Sequence, residues 1–310
     1  MFSPNDNGSK TKKDVALIVG PTASGKSALA LQLAKKQPSV IINADSAQVY
    51  ADLRILSARP SEEEMAGISH RLYGYIDGAE ACSAPRWAED AKAEIAAAHA
   101  DDKLPILVGG TGLYVRTLLN GIAPIPDIDP AIRAHIRDMD VSDAYALLES
   151  EDPVSAKRLN PRDSSRIMRA LEVVRSSGKP LHHWHEHLIG GIADEISLRP
   201  LVLLPPREWL YERCDRRFQI MIDEGAMEEV ESLLRKGLPD DCPVMRAIGV
   251  PELSAVIRGE MDLGEAKVRA MAATRQYAKR QYTWFRNQCP ADWPRHDATI
   301  NDVNINNIEI

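Results

Sequence analysis

The chain reads as an α/β protein with a phosphate-loop-type core. A parallel sheet flanked by helices is interrupted by a helical insertion domain and followed by a helical C-terminal region. Three observations predict this. First, residues 20–27 (GPTASGKS) fit the pattern G-x-x-x-x-G-K-[ST], between a short apolar run (VALIV, 15–19) and helix formers (ALALQLAK, 28–35). Second, two further apolar runs, PSVIIN at 38–43 and LPILV at 104–108, each end in a turn rich in polar residues or glycine. Third, no apolar strand-like run appears between about 120 and 198, where helical patterns take over, until RPLVLL at 199–204 returns to the sheet. The expected organisation is a flexible polar leader (1–13), a core (14–120 and 199–290), a helical insertion (121–198) and a tail with little pattern (291–310), partly disordered.

Strand, glycine loop and helix together turn successive backbone N–H groups toward an anion, with a helix N-terminus behind them. Gly20, Pro21, Thr22, Ala23, Ser24, Gly25, Lys26 and Ser27 are therefore the expected diphosphate- or nucleotide-binding residues. Lys26 would reach the outer phosphates, and the Ser27 hydroxyl would ligate Mg²⁺, the expected cofactor. Such a loop reads phosphate geometry; by itself it suits ATP as well as any other polyphosphate.

Composition narrows the class. The chain has 310 residues, 44% of them hydrophobic and 27% charged, as in ordinary globular proteins. The net charge of −7 announces no nucleic-acid partner, so charge distribution has to decide. Four scattered cysteines without a C-x-x-C pair fit a reducing cytosol. No apolar run approaches the ~20 residues that span a bilayer, and the N-terminus lacks a signal-peptide core. A cytoplasmic protein with no membrane contact is expected, and a monomer is plausible.

In chain order, Asp45 follows the second apolar run, at the carboxyl end of a strand, where doubly wound sheets collect ligand-contacting groups. It reads equally as a Mg²⁺ ligand or general base and as a helix N-cap. Residues 83–98 form an amphipathic helix, and Gly109-Gly-Thr-Gly112 makes a second glycine turn. There Thr111 serves either as a hydroxyl for a phosphate or leaving-group oxygen, or as a cap. The proline-punctuated stretch 123–130 opens the insertion, whose helical runs are 130–139, 142–150 and 153–159. Lys157, Arg158, Arg162, Arg166, Arg169, Arg175 and Lys179 accumulate in it against few acids, with Arg166 and Arg169 on one helix face. They are a solvated face or contacts to a phosphate backbone. His183 and His187 stand i, i+4, as helical metal ligands can, but no distant ligand cluster joins them, and exposed or RNA-facing histidines are the stronger reading. After the late strand come helices at 208–223, 228–236 and 252–258, then a long basic one at 263–285. The last interleaves Lys279, Arg280 and Arg286 with Tyr277, Tyr282, Trp284 and Phe285, which suits nucleic acid, its aromatics serving also as core.

Together these motifs resemble one family, the tRNA dimethylallyltransferases, over nearly all of residues 15–286. The phosphate loop with its Thr-Ala-Ser interior, Asp45-Ser-Ala-Gln-Val-Tyr50, residues 106–114 (ILVGGTGLY), residues 166–172 (RIMRALE) with Ser177-Gly-Lys179, and residues 274–286 (TRQYAKRQYTWFR) follow the family's order. The resemblance implies transfer of the dimethylallyl group from dimethylallyl diphosphate to N6 of the adenosine 3′-adjacent to the anticodon, with release of diphosphate. The phosphate loop would then hold the prenyl donor rather than ATP. It implies Asp45, Thr111 and Arg217 as catalytic residues. The partner implied is the tRNA anticodon arm, with contacts from Asp45, Ser46, Ala47, Gln48, Thr111, Arg133, Ser165, Arg166, Ile167, Met168, Arg169, Arg246, Lys279, Arg280, Trp284 and Arg286. The chain departs from the family pattern at 52–60 and at Val250-Pro251, so neither Val250 nor Pro251 is assigned an RNA contact. Two rivals are a free-nucleotide (adenylate) dimethylallyltransferase, which would not need the basic segments, and a phosphate-loop kinase or NTP-binding module.

Overall fold

The computed structural model of the chain describes residues 12–300, 305 and 308. Most of the expected leader and the last part of the tail therefore lie outside the described residues. The chain forms two compact units: Leu119–Ile192 is one, and the segments on either side of it make the other. In chain order the elements are β1 (Lys13–Val19), α1 (Lys26–Ala34), β2 (Ser39–Asn43), α2 (Glu62–Met65), β3 (Ser69–Arg71), α3 (Ala84–Ala100), β4 (Leu104–Gly109) and α4 (Gly112–Asn120). The smaller unit carries α5 (Pro130–Arg137), α6 (Val141–Glu151), α7 (Pro153–Arg158), α8 (Ser164–Ser177) and α9 (Leu181–Trp184). The larger unit resumes with β5 (Ile196–Leu203), α10 (Arg207–Asp223), α11 (Ala226–Leu234), a 3₁₀ turn (Pro243–Arg246), α12 (Val250–Ile257), α13 (Leu263–Gln288) and β6 (Arg295–His296).

The sheet has the order β3-β2-β4-β1-β5-β6, and every strand pair is parallel. A parallel sheet is covered on both faces, which is why β1 and β2 are continuous apolar runs and not alternating ones. Ala16, Ile18, Ile41, Ile106, Val108, Leu201 and Leu203 pack with Leu29, Ala30 and Ala34 of α1 on one side. Because β4 lies between β1 and β2, the carboxyl ends of these three strands are neighbours. The loop at 20–25, the turn at 110–111 and the segment at 44–48 therefore stand in one row, and that row is the candidate site.

Three boundaries differ from expectation. β5 begins at Ile196, inside the stretch assigned to the insertion, and pairs with β1 from Lys13↔Ile196 to Val19↔Val202. Only its final residues, Leu201–Leu203, are continuously buried, so its first half lacks the apolar run that signals a buried strand. Lys13, placed in the leader, opens β1. The tail is also part of the fold: Arg295 and His296 pair with Val202 and Leu203, and Ile300 and Ile305 join the core beside α1. A two-residue strand is too short to show a period in sequence. The same holds for β3, three residues at the opposite edge.

The smaller unit packs its helices around Ile136, Ala144, Leu148, Ala156, Ile167, Ala170 and Leu171. Its chain ends are tied by a reciprocal pair of backbone hydrogen bonds between Ile122 and Ile189, both 3.0 Å. A buried carboxylate, Glu172, takes Arg137 Nε at 2.9 Å and lies 3.5 Å from Arg169 Nη1. Among the described residues no helix is long and apolar enough to cross a membrane.

Candidate active site

The phosphate loop leaves β1 at Gly20, whose φ of +153° and closeness to β5 both require glycine: a Cβ there would meet Leu203 O at 2.5 Å. Ala23 takes a left-handed φ of +62°, and Gly25 leads into α1. The Ser27 hydroxyl is exposed in the first turn of α1, whereas Ser24 Oγ is buried inside the loop without a hydrogen-bond partner. Lys26 turns back on its own loop and donates to Pro21 O at 2.6 Å. Burial pushes its ammonium down to about 8; Asp45 opposes this shift and Arg217 adds to it, so both charges lie within electrostatic reach.

Two helices from the far end of the chain hold the loop. From α10, Arg217 donates to Thr22 Oγ1, and Arg213 Nε donates to Ala23 O at 2.9 Å. Burial lowers the pKa of Arg217 from the usual guanidinium range. From α13, Gln281 accepts the Thr22 N–H at 2.7 Å and donates to Gly110 O at 2.8 Å. The Thr22 amide is thus engaged by protein and is not among the free donors of the anion cradle, a correction to the expectation for the whole loop.

Asp45 follows β2, but no helix starts after it, which removes the helix-cap reading. Its Oδ1 accepts the Ala47 N–H at 3.0 Å in an Asx-type turn. Buried Asn43 holds the Asp45 backbone by accepting its N–H and donating to its carbonyl, both at 2.9 Å. Across the row, Thr111 Oγ1 accepts the Ser46 N–H at 2.9 Å and donates to Ser46 Oγ at 3.1 Å. The two turns approach so closely that a Cβ on Gly109 would lie 2.0 Å from Ala44 O. Tyr277 of α13 completes the group. Burial raises its hydroxyl pKa, the nearby Asp45 adds to the shift, and hydrogen bonding to Thr111 and Gln281 works against it.

These residues open on a cavity of about 420 Å³. Its lining includes the polar side chains of Thr22, Asp45, Ser46, Arg217 and Tyr277, with Arg246 and Arg280 also on the wall. Leu56, Cys214, Phe218, Met221 and Ile248 make its apolar side. One cavity therefore offers cations, a carboxylate and an apolar surface. That combination suits a ligand with an anionic head and a short hydrocarbon chain, reacting beside a base.

The other expected residues fall in several places. The Gln48 amide nitrogen is already engaged within the protein: Nε2 donates to Ser57 O at 3.0 Å and to Ala58 O at 2.9 Å, holding the 52–60 segment. Lys279, Arg280 and Arg286 are exposed on α13, with Arg280 over the Tyr277 ring at 5.8 Å. Trp284 is half-buried against the second glycine turn, where a Cβ on Gly112 would meet its ring at 2.3 Å. In the smaller unit, Arg133, Ser165 and Arg166 are exposed and Arg169 pairs with Glu172. Ile167, named as an RNA contact, is fully buried in that unit's core, and Met168 packs against the same core, because the R-x-x-R spacing leaves the intervening positions facing inward. The histidine run forms no metal helix: α9 ends at Trp184, His183 Nε2 lies 3.2 Å from Lys179 Nζ, and no cluster of three ligating side chains exists among the described residues.

Sequence reasoning missed Asn43 and Gln281, and read Tyr277 as an RNA-facing or core aromatic of the long helix, not as a member of the site. The signal for Gln281 was present. Thr274, Tyr277, Gln281 and Phe285 follow the i, i+3, i+7, i+11 spacing of one helix face, so a glutamine on that face points inward.

A family model described as IPP transferase matches residues 48–288. A curated relative from Sphingopyxis alaskensis, described as tRNA dimethylallyltransferase, is 57% identical over 297 residues, covering 96% of this chain and 97% of that protein. One of the same description from Erythrobacter litoralis is 59% identical over 298 residues, covering 94% and 93%. Among solved structures, the full-length tRNA isopentenylpyrophosphate transferase of Bacillus halodurans aligns with a TM-score of 0.69 at 33% identity, covering 95% of this chain and 93% of that one. A eukaryotic dimethylallyltransferase captured acting on tRNA aligns with a TM-score of 0.79 at 28% identity, covering 94% and 75%.

Proposed function

The chain belongs to the IPP transferase family, and from that premise we propose that it transfers the dimethylallyl group of dimethylallyl diphosphate to N6 of the adenosine 3′-adjacent to the anticodon in tRNA, releasing diphosphate. The observation that carries this reading is the shared cavity: Thr22 and Arg217, at the phosphate loop, and Asp45, a carboxylate, line one space with an apolar side.

The chemistry follows from the residues. The donor's diphosphate lies on the loop amides and the N-terminus of α1, with Lys26 released from Pro21 O to meet it and Arg217 beside it. The five-carbon chain rests against Leu56, Phe218 and Met221. An exocyclic amine is a poor nucleophile because its lone pair is delocalised into the ring. Asp45 accepts the N6 proton as nitrogen attacks the allylic carbon. The C–O bond breaks and its electron pair passes to the diphosphate, where Lys26, Arg217 and the Thr111 hydroxyl stabilise the growing charge. The adenine has to leave its stack to reach Asp45, as bases modified by enzymes generally do. Arg246 and Arg280 on the cavity wall, with exposed Lys279 and Arg286 on α13 and Arg133, Arg166 and Arg169 in the smaller unit, supply contacts for the RNA backbone.

Mg²⁺ fits this site only as a companion of the donor. With no cluster of three His, Cys, Asp or Glu side chains among the described residues, the exposed Ser27 hydroxyl is the protein group that would hold it beside the diphosphate oxygens. When bound, the ion would neutralise charge on the leaving group. We take the working form to be a cytoplasmic monomer.

Labelled dimethylallyl diphosphate supplied with unmodified tRNA, or with AMP, tests the proposal. Label in tRNA supports it, label in AMP alone replaces the acceptor, and ATP turnover without prenyl transfer overturns it.

A further inference from the structure

Gln281 is 5% exposed and sits on the inner face of α13, more than 250 residues from the phosphate loop in sequence. Its two amide atoms bond to two different site loops. Oε1 accepts the Thr22 N–H of the phosphate loop at 2.7 Å, and Nε2 donates to Gly110 O of the second glycine turn at 2.8 Å. The fit admits no slack: a Cβ on Gly110 would stand 2.2 Å from Nε2. No other side-chain hydrogen bond recorded among the described residues joins these two loops directly. The first loop carries the diphosphate-binding amides, and the second carries Thr111. The distance between them sets where the leaving group stands relative to Thr111 and, through Ser46, to Asp45.

We infer that Gln281 is a positioning residue that holds the phosphate loop and the second glycine turn in register, so that α13 sets the spacing of the prenyl-donor site from the inside while its outer face carries exposed basic groups. The inference rests on the proposed function only for what the loop binds. A primary amide accepts from an N–H and donates to a carbonyl from two atoms on one carbon, uncharged at every pH, whereas a carboxyl group does so only when protonated. Isolated burial would not ask for it: a leucine would fill the volume and leave one donor and one acceptor unpaired.

The test compares Gln281→Met and Gln281→Glu with the wild-type chain, using full tRNA, dimethylallyl diphosphate and, separately, inorganic diphosphate as a binding probe. Gln281→Met removes both loop bonds, and with them the interaction with the Tyr277 hydroxyl, at similar volume. The donor KM and the Kd for inorganic diphosphate should rise about tenfold or more, with the tRNA KM within about twofold of wild type. Gln281→Glu keeps the acceptor for Thr22 at every pH but donates to Gly110 O only when protonated. Its activity relative to wild type should therefore climb as pH falls from 8 to 6. An unchanged donor KM, a tRNA KM that rises in parallel, or a flat Gln281→Glu ratio across pH overturns the inference. If Gln281→Met does not fold, the near-isosteric Gln281→Glu profile decides alone. Wild-type protein that prenylates no tRNA would count against the proposed function, while the inorganic diphosphate measurements would still decide the role of Gln281.

Discussion

Asn43 and Asp45 form a closed unit at the end of β2: the Asn43 amide accepts the Asp45 N–H and donates to the Asp45 carbonyl, each at 2.9 Å, and also donates to Leu72 O at 3.0 Å. Asn43 is fully buried, so water has little access to its amide. The backbone of the proposed base is therefore fixed before any substrate arrives. Asp45→Asn should lower kcat by roughly 10²–10⁴-fold with tRNA affinity near wild type, read by single-turnover transfer and a filter-binding titration. Asn43→Leu should lower kcat about tenfold or more and cost about 2–3 kcal/mol of stability, because it strands one buried donor and two carbonyls. An Asp45→Asn protein with normal turnover would make Asp45 structural.

Lys26 gives the donor site a pH dependence. Its ammonium, pushed down to about 8 by burial, is charged below that value and neutral above it. Only the charged form pairs with diphosphate oxygens. The Kd for inorganic diphosphate should hence stay level on the acid side of pH 8 as far as Lys26 is concerned, and rise above it, by up to about tenfold per pH unit. Isothermal titration from pH 7 to 9.5 measures this, with Lys26→Met as the flat control.

Arg217 reaches the phosphate loop through Thr22 Oγ1 and also lines the cavity. Arg217→Lys keeps the charge but loses the planar fork, and should raise donor KM and lower kcat by about tenfold or more. Thr22→Val, which removes only the hydroxyl, should reproduce part of the KM effect and little of the kcat effect. Steady-state kinetics separates the two.

Glu229 of α11 accepts three successive backbone amides, those of Arg54, Ile55 and Leu56, at 2.6, 2.8 and 2.9 Å. This carboxylate and the Gln48 amide hold the 52–60 segment, which departs from the family pattern and gives Leu56 and Ser57 to the cavity wall. Glu229→Ala should destabilise the protein by about 2–3 kcal/mol in urea and open residues 54–56 to limited proteolysis.

For RNA binding, Arg166→Ala and Lys279→Ala remove exposed cations and should each reduce the slope of log K against log salt by about one. Ile167→Ala, two positions from exposed Ser165, should leave the slope alone and cost about 2–5 kcal/mol of stability in the smaller unit. Thermal melts and binding across 50–300 mM salt distinguish the two kinds of change.

Most of the larger unit was legible because its signals are local. A buried parallel strand is an apolar run, a phosphate loop is a contiguous motif, and a helix shows its period within a few turns. β1, β2, β4, α1, α3 and α13 could be read in this way, with ends within a few residues of those observed. β3 and β6 could not, because strands of three and two residues contain no period and exist only through pairing with neighbours. The start of β5 was hidden for a related reason: Ser197 and Arg199 sit at the less buried end of a strand held by its ladder with β1.

What the sequence by itself determined is the set of candidate groups, namely a phosphate loop with Lys26 and Ser27, a carboxylate at Asp45, a hydroxyl at Thr111 and basic helices around them. These follow from residue type, spacing and neighbouring elements, all written along the chain. Only the tertiary structure decided how they meet. It put β4 between β1 and β2, so that three loops distant in sequence stand side by side. It gave Gln48 and Ile167 to internal contacts and brought Asn43 and Gln281 into the site. A buried amide takes its role from the partners left to it once water is excluded, and those partners, Gly110 for Gln281 above all, are assigned by packing between segments that no local pattern connects.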